Sequence, residues 1–344
     1  MSRPNILLII LDSVRARNTS LHGYGRSTTP FLKRFAAEST VYTQARAPSI
    51  HSISSHASLF SGYHTEEHHV GEHESQLDPA ASIWKQLGDK YGYNTGIFSP
   101  NLVVMGSSNL AEPFQTQEGP RRNRLFPTAF SPGDTEESSY VNYLLESLHQ
   151  DQKLKSILNG VFGIVPYSKT LESHDPDAES ADVYIDLFLD WIEHQSSPWA
   201  GFLNLMDAHY PYIPKPEYDF WGGEKLADIQ TQMGTPSREI LSGKPIGEFQ
   251  ALESLYDGCI RQLDHYIEYL VGSLKARGEF ENTFLAITSD HGEGFAEQSN
   301  VNRAVELIDH SWGIHEVLTH VPLIVKYPEQ TTGGTVDELA SLTE

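Results

Sequence analysis

The stretch that most constrains this chain is Phe284 to Glu293, Phe-Leu-Ala-Ile-Thr-Ser-Asp-His-Gly-Glu. A short apolar run ends in Asp290 and His291, and Gly292 then lets the chain turn. Such a run, bounded by polar residues and glycine, predicts a strand buried on both faces. In open α/β sheets, ligands sit beyond the carboxyl ends of such strands. A carboxylate and an imidazole delivered together at that edge supply an oxygen and a nitrogen ligand, half of a metal site. Taken alone, the stretch fits equally well an Asp290 that caps a turn and a His291 at the surface. The remaining ligands must come from elsewhere in the chain.

Four more short apolar runs separate predicted helices: Ile6–Leu11, Asn94–Phe98, Trp199–Leu205 and Val321–Tyr327, with a further short strand predicted at Val41–Ala47. Apolar residues at three- and four-residue spacing predict a long helix over Glu248–Arg277. Shorter helices are predicted at Phe31–Glu38, Ala57–Phe60, Ile83–Tyr91, Ser139–Leu158 and Asp182–His194. Strands alternating with helices predict an α/β domain with a largely parallel sheet. The 344 residues are read as one catalytic domain, with irregular insertions about 101–196 and 213–247.

Charge narrows the function. With 24 basic and 46 acidic residues the net charge is −22, which excludes a nucleic-acid backbone or an anionic membrane as the main partner. The same excess predicts a halophilic, haloarchaeal source. Cys259 is the single cysteine, so a disulfide framework and a thiolate metal cluster are both excluded. The run Ile6–Leu11 is too short to span a membrane and lacks a small-residue cleavage site, which predicts a cytoplasmic protein.

Strand one delivers Asp12, and the segment 47–62 offers Ser49, Ser52, Ser54, Ser55 and Ser58 beside His51 and His56. The late strand delivers Asp290 and His291. An acid, a hydroxyl nucleophile and an Asp-His pair around one divalent cation make a coherent ester-cleaving site, because a cation activates a hydroxyl and neutralises a departing oxyanion.

In these motifs the chain resembles the sulfatase branch of the alkaline phosphatase superfamily. The resemblance rests on Pro4-Asn5-Ile-Leu-Leu-Ile-Ile-Leu-Asp12-Ser-Val-Arg15, His22-Gly-Tyr-Gly25, Thr29-Pro30, Ser52-Ile-Ser-Ser-His-Ala-Ser-Leu-Phe-Ser-Gly62, Met206-Asp-Ala-His209-Tyr-Pro-Tyr212, Ser289-Asp-His-Gly-Glu293 and His320-Val-Pro-Leu-Ile-Val325. It implies an alkaline-phosphatase-like three-layer α/β/α sandwich. It also implies one divalent ion (Ca²⁺, Mg²⁺, Mn²⁺ or Zn²⁺) held by Asp12, Ser52, Asp290 and His291. Ser52 falls at the nucleophile position, with His209 on the sulfate or phosphate oxygens, Arg15 supporting the nucleophile loop and His56 beside it. His310 and His315 lie where the family places a histidine near the leaving group. The implied substrate is a small anionic ester: a sulfated or phosphorylated glycan, lipid or metabolite.

The departures from the family pattern are specific. Sulfatases carry Cys, sometimes Ser, two residues before Pro-Ser-Arg and oxidise it to formylglycine. Here Ser52-Ile-Ser54-Ser55-His56 lacks the Pro and the Arg. Phe98-Ser-Pro-Asn-Leu-Val replaces a Gly-Lys-Trp-His segment, and Ser13 replaces a second metal-binding Asp. These changes favour an unmodified serine acting on phosphoesters over a true sulfatase with Ser52 matured to formylglycine. A non-catalytic binding protein on the same fold is the third reading. The sequence stops near where family members begin a C-terminal subdomain, so that part is expected to be short or missing.

Three tempting signals carry less. In His315-Glu316-Val-Leu-Thr-His320 the histidines are five apart, off one helical face, so it is not a zinc-protease helix. The run from His64 to Glu74 is expected to be a solvated acidic loop. Arg121, Arg122 and Arg124 are expected on a surface loop.

Overall fold

The computed structural model describes residues 3–72, 75–120, 144, 147–149, 152–163, 179–195 and 198–343. The arginine cluster at 121–124 and the end of the acidic loop, His73 and Glu74, lie outside the described residues. So do residues 139–143, 145, 146, 150 and 151 of the helix expected over 139–158, whose end overlaps a helix at Lys153–Gly163.

Ten strands are described: β1 (Asn5–Leu11), β2 (Thr40–Arg46), β3 (Asn94–Phe98), β4 (Thr116–Glu118), β5 (Trp199–Leu205), β6 (Thr283–Thr288), β7 (Gly294–Gln298), β8 (Glu306–Asp309), β9 (Leu323–Lys326) and β10 (Gly334–Ser341). Eight form one sheet in the order β10-β2-β9-β6-β1-β5-β3-β4, and β7-β8 form a separate hairpin. All pairings in the large sheet are parallel except those of β9, which runs antiparallel to β2 and β6. β1 is central: Leu11 lies beside Leu205 and Ile10 beside Thr288, so β1, β5 and β6 end together at one edge.

The apolar character of β1 follows from burial on both faces. Leu7, Ile9 and Leu11 enter one core cluster, with the helices Ala181–Glu193 and Glu253–Ala276; Ile6, Leu8 and Ile10 enter or pack on another, with the helices Ser52–Ser61 and Ile83–Tyr91. Each fully buried Leu or Ile contributes about 1.5–3 kcal/mol, so the sheet is held from both sides. Helix, sheet and helix make the three layers expected.

Close approach fixes one glycine. A Cβ on Gly201 of β5 would lie 2.6 Å from a ring carbon of Phe188. Its absence lets the helix Ala181–Glu193 lie down on the sheet.

Two expectations change. The long helix begins later, at Glu253, because the chain tightens at buried Leu252: Leu252 N–H bonds the Phe249 carbonyl and Leu255 N–H the Leu252 carbonyl, both three residues back. A short helix, Ile246–Ala251, precedes it. The loop after Glu293 contains the hairpin β7-β8, whose short, polar-bearing strands carry no apolar run to announce them. Cys259 is buried in the core, as its helical pattern implied. Among the described residues no helix is long and apolar enough to cross a membrane.

Candidate active site

Asp12, at the end of β1, and Asp290 and His291, at the end of β6, are fully buried and gather where three ligand atoms lie within 4.8 Å of one another. Ser13, between strand and loop, has φ 64°, a left-handed turn that a hydroxyl-bearing residue tolerates at some cost. The turn is braced from three sides. Tyr256 Oη–H donates to the Ser13 carbonyl at 2.8 Å, and Arg15 N–H donates to Tyr256 Oη at 3.0 Å. Val14 N–H donates to Ser289 Oγ at 3.0 Å, and Ser289 Oγ–H donates to the His291 carbonyl at 2.6 Å. Gly292 is required here: a Cβ would lie 2.0 Å from the Val317 carbonyl oxygen.

Ser52 opens the helix Ser52–Ser61, and its Oγ lies 3.2 Å from His291 Nε2. The first backbone N–H groups of such a helix have no partner within it, so they favour anionic oxygens placed beside Ser52. His56 Nδ1–H donates to the Ser52 carbonyl at 2.8 Å, and the same nitrogen lies 3.7 Å from Asp290 Oδ2. The sequence therefore brought Asp12, Ser52, His56, Asp290 and His291 to one place.

A group of three imidazoles is equally compact. The His310 ring centroid lies 4.3 Å from that of His291 and 5.5 Å from that of His209. His209 Nδ1–H donates to the Tyr210 carbonyl at 2.8 Å. His310 Nδ1 lies 3.4 Å from Glu293 Oε1. Burial alone would lower the His310 imidazole, but the carboxylates of Glu293 and Asp309 outweigh it and push it up to about 9. Burial raises the Asp12 carboxyl, yet His209, His291, His56 and His310 together hold it below the ordinary range.

Some expected residues go elsewhere. Arg15 is fully buried, but its guanidinium is not on the Ser52 loop. It pairs with Glu253 and with Glu297 (2.6 Å), and donates to Asn18 and to the Glu293 carbonyl at 3.0 Å. A buried cation needs such partners, and they turn it toward the long helix and β7. Asp207 caps the helix Ala181–Glu193, accepting the N–H of Ala181 at 3.0 Å. His315 caps the four-residue helix Glu316–Thr319, accepting Val317 N–H at 3.2 Å, so His310 is the histidine that joins the cluster. The described part of the acidic loop is a small helix, Thr65–His68, closed by a reciprocal His64–Glu67 cap.

Asn101, Asn204 and the side chain of Glu293 were not singled out from sequence. Asn101 and Asn204 both donate to Asp12 Oδ2, at 3.1 and 3.4 Å. An amide inside the otherwise apolar strand Trp-Ala-Gly-Phe-Leu-Asn-Leu was the available signal for Asn204.

A sequence profile described as Sulfatase matches residues 4–344. This chain belongs to the sulfatase family. It is 20% identical to arylsulfatase K of Canis lupus familiaris, covering 99% of this chain and 61% of that protein. It is 22% identical to the N-acetylgalactosamine-6-O-sulfatase of Bacteroides thetaiotaomicron, covering 99% of this chain and 72% of the relative. In fold it is similar to the phosphonate monoester hydrolase of Agrobacterium radiobacter, with a TM-score of 0.66, 17% identity, and coverage of 99% and 72%. The chain thus spans 61% of the length of the arylsulfatases K it first matches.

Sulfatase-family proteins typically bind a divalent cation, and Asp12, Asp290 and His291 form a cluster that could hold one. Asp290 Oδ2 is buried without a hydrogen-bond partner, and two buried carboxylates and an imidazole offer three ligand atoms to one centre. His291 Nδ1–H donates to the Gly292 carbonyl at 2.9 Å, which leaves Nε2 as the lone-pair nitrogen toward the cluster.

Proposed function

We propose that this chain is a metal-dependent hydrolase or transferase of phosphate or sulfate esters that works through a covalent Ser52 intermediate, with phosphoesters favoured. The observation that carries it is the placement of Ser52 Oγ, 3.2 Å from His291 Nε2, at the N-terminus of a helix and beside two buried carboxylates. Asp12, Ser52, Asp290 and His291 would hold the cation. A cation there would lower the pKa of the hydroxyl and offset charge on the ester oxygens. Ser52 Oγ then bonds to phosphorus as the ester oxygen leaves, and the freed first-turn N–H groups of Ser52–Ser61 bind the remaining anionic oxygens. His209 lies on the same side and supports those oxygens; His310, held by Glu293, supplies a proton to the leaving oxygen.

Phosphorus is favoured over sulfur by the serine itself. Water displaces serine in line from a phosphoseryl enzyme, whereas a serine sulfate lacks that exit without the hydrated aldehyde. The maturation signal is incomplete, and His56, where that signal has Arg, is committed to the Ser52 carbonyl. A true sulfatase with Ser52 converted to formylglycine is the second reading, and the relatives named as sulfatases favour it. Assays of p-nitrophenyl phosphate, bis-p-nitrophenyl phosphate and p-nitrophenyl sulfate, in high salt with several divalent metals, separate the two. The first reading expects faster turnover of a phosphoester; a clear preference for the sulfate would replace it with the second.

A further inference from the structure

The two carboxylates of the cluster share an asymmetry. Asp290 Oδ1 accepts the backbone N–H of Ser13 at 3.3 Å and of His291 at 3.0 Å, while its Oδ2 is buried without a hydrogen-bond partner, 3.4 Å from His291 Nε2. Asp12 Oδ2 accepts the amide N–H groups of Asn101 and Asn204, which leaves Oδ1 with the Ser13 hydroxyl alone at 3.1 Å, a donor free to rotate away. His291 spends Nδ1 on the Gly292 carbonyl. Each of the three residues therefore has one polar atom saturated and one left for the common centre.

The amides are held in this sense. Asn101 Oδ1 accepts the N–H groups of Val103 at 2.9 Å and Val104 at 3.4 Å, so only its Nδ2 can face Asp12. Turning Asn204 over would set its oxygen against the Asp12 carboxylate, and its Nδ2 also meets Ser99 Oγ at 3.3 Å. Asn204 Oδ1 is buried with no partner. Such an atom costs roughly 1–3 kcal/mol, so an asparagine in this strand is retained for its N–H groups.

We propose that Asn101 and Asn204 are positioning residues that make Asp12 a one-oxygen ligand, so that the site presents single-atom donors and discriminates against Ca²⁺ in favour of Zn²⁺. The proposal rests on the reading that Asp12, Ser52, Asp290 and His291 hold a divalent cation. Three oxygens and one imidazole nitrogen, one atom from each residue, match the four-coordinate preference of Zn²⁺. Ca²⁺ takes six to eight oxygens and gains from carboxylates that turn both oxygens inward. Removing an amide donor frees Asp12 Oδ2 to do that, which loosens the set for Zn²⁺ and compensates Ca²⁺.

The test is calorimetric titration of Zn²⁺ and, separately, Ca²⁺ into the metal-free full chain, as wild type, Asn204→Leu and Asn101→Ser. The Kd for Zn²⁺ is expected to rise about 10- to 100-fold, the scale for residues that orient a metal ligand. The Kd for Ca²⁺ is expected to stay within about threefold, since a second carboxylate oxygen replaces what is lost. Equal changes for both ions, or none, in variants whose circular dichroism matches wild type would overturn the proposal. Asn204→Ser, which keeps a small polar group in the strand, gives the same reading if the leucine variant does not fold. Asp290→Ala separates the two levels: if it binds Zn²⁺ as tightly as wild type, the metal site itself is wrong, not the role of the asparagines.

Discussion

At the scale of single residues, the account turns on Ser52. In the proposed reaction its hydroxyl is the group that bonds to phosphorus, so Ser52→Ala should lower kcat by roughly four to six orders of magnitude, the scale for removal of a covalent nucleophile. Steady-state assay of the variant against its preferred phosphoester checks this, and a loss below tenfold would remove Ser52 from the chemistry. Asp12, Ser52, Asp290 and His291 could be singled out in sequence because each sits in a short motif at an end of an element, and His56 because it lies one helical turn after Ser52 in the same motif. Asn101 and Asn204 were not. Their role depends on β1, β3 and β5 lying side by side, a pairing that no local pattern encodes. Arg15 was legible as a site residue but not in its direction, since its partners Glu253 and Glu297 come from more than two hundred residues away.

At the scale of elements, two packing contacts set measurable quantities. Gly201→Ala would push a methyl against Phe188, between β5 and the helix Ala181–Glu193. Overpacking of this kind costs about 1–3 kcal/mol, to be read as a lower midpoint in urea denaturation; an unchanged midpoint would show that the helix yields. The second contact is Asp264, in the long helix, which accepts Phe31 N–H at 2.8 Å and Leu32 N–H at 2.9 Å and so caps the helix Pro30–Phe35 from outside it. Burial pushes its carboxyl up to about 7, against the opposing pull of those N–H groups and Arg261. The folded chain thus binds this proton more tightly than the unfolded chain, whose value is 3.8. The stability this group contributes is full below about pH 4 and falls as pH rises toward 7. Asp264→Asn removes that slope. Its cost should be greater at pH 5 than at pH 8 by about 1 kcal/mol or more. Equal costs at the two pH values would contradict the assignment. Long apolar elements such as β1, β5 and the helix from Glu253 were legible from periodicity. The hairpin β7-β8 and the edge strand β10, short or largely exposed, had no apolar pattern to read.

At the scale of the whole molecule, the net charge of −22 is the dominant feature. If it is an adaptation to concentrated salt, stability should rise with KCl into the molar range, because the ions screen self-repulsion. A melting temperature that is flat or falling between low and molar KCl would count against that. The central claim, an unmodified Ser52 that carries the phosphoryl group, is tested most directly by mass spectrometry. The protein is measured at rest and after acid quench during turnover of a phosphoester, with the Ser52 peptide then sequenced. The account predicts plain serine at rest and a phosphoryl adduct on Ser52 after quench. An aldehyde at position 52, or an adduct on another residue, would contradict it.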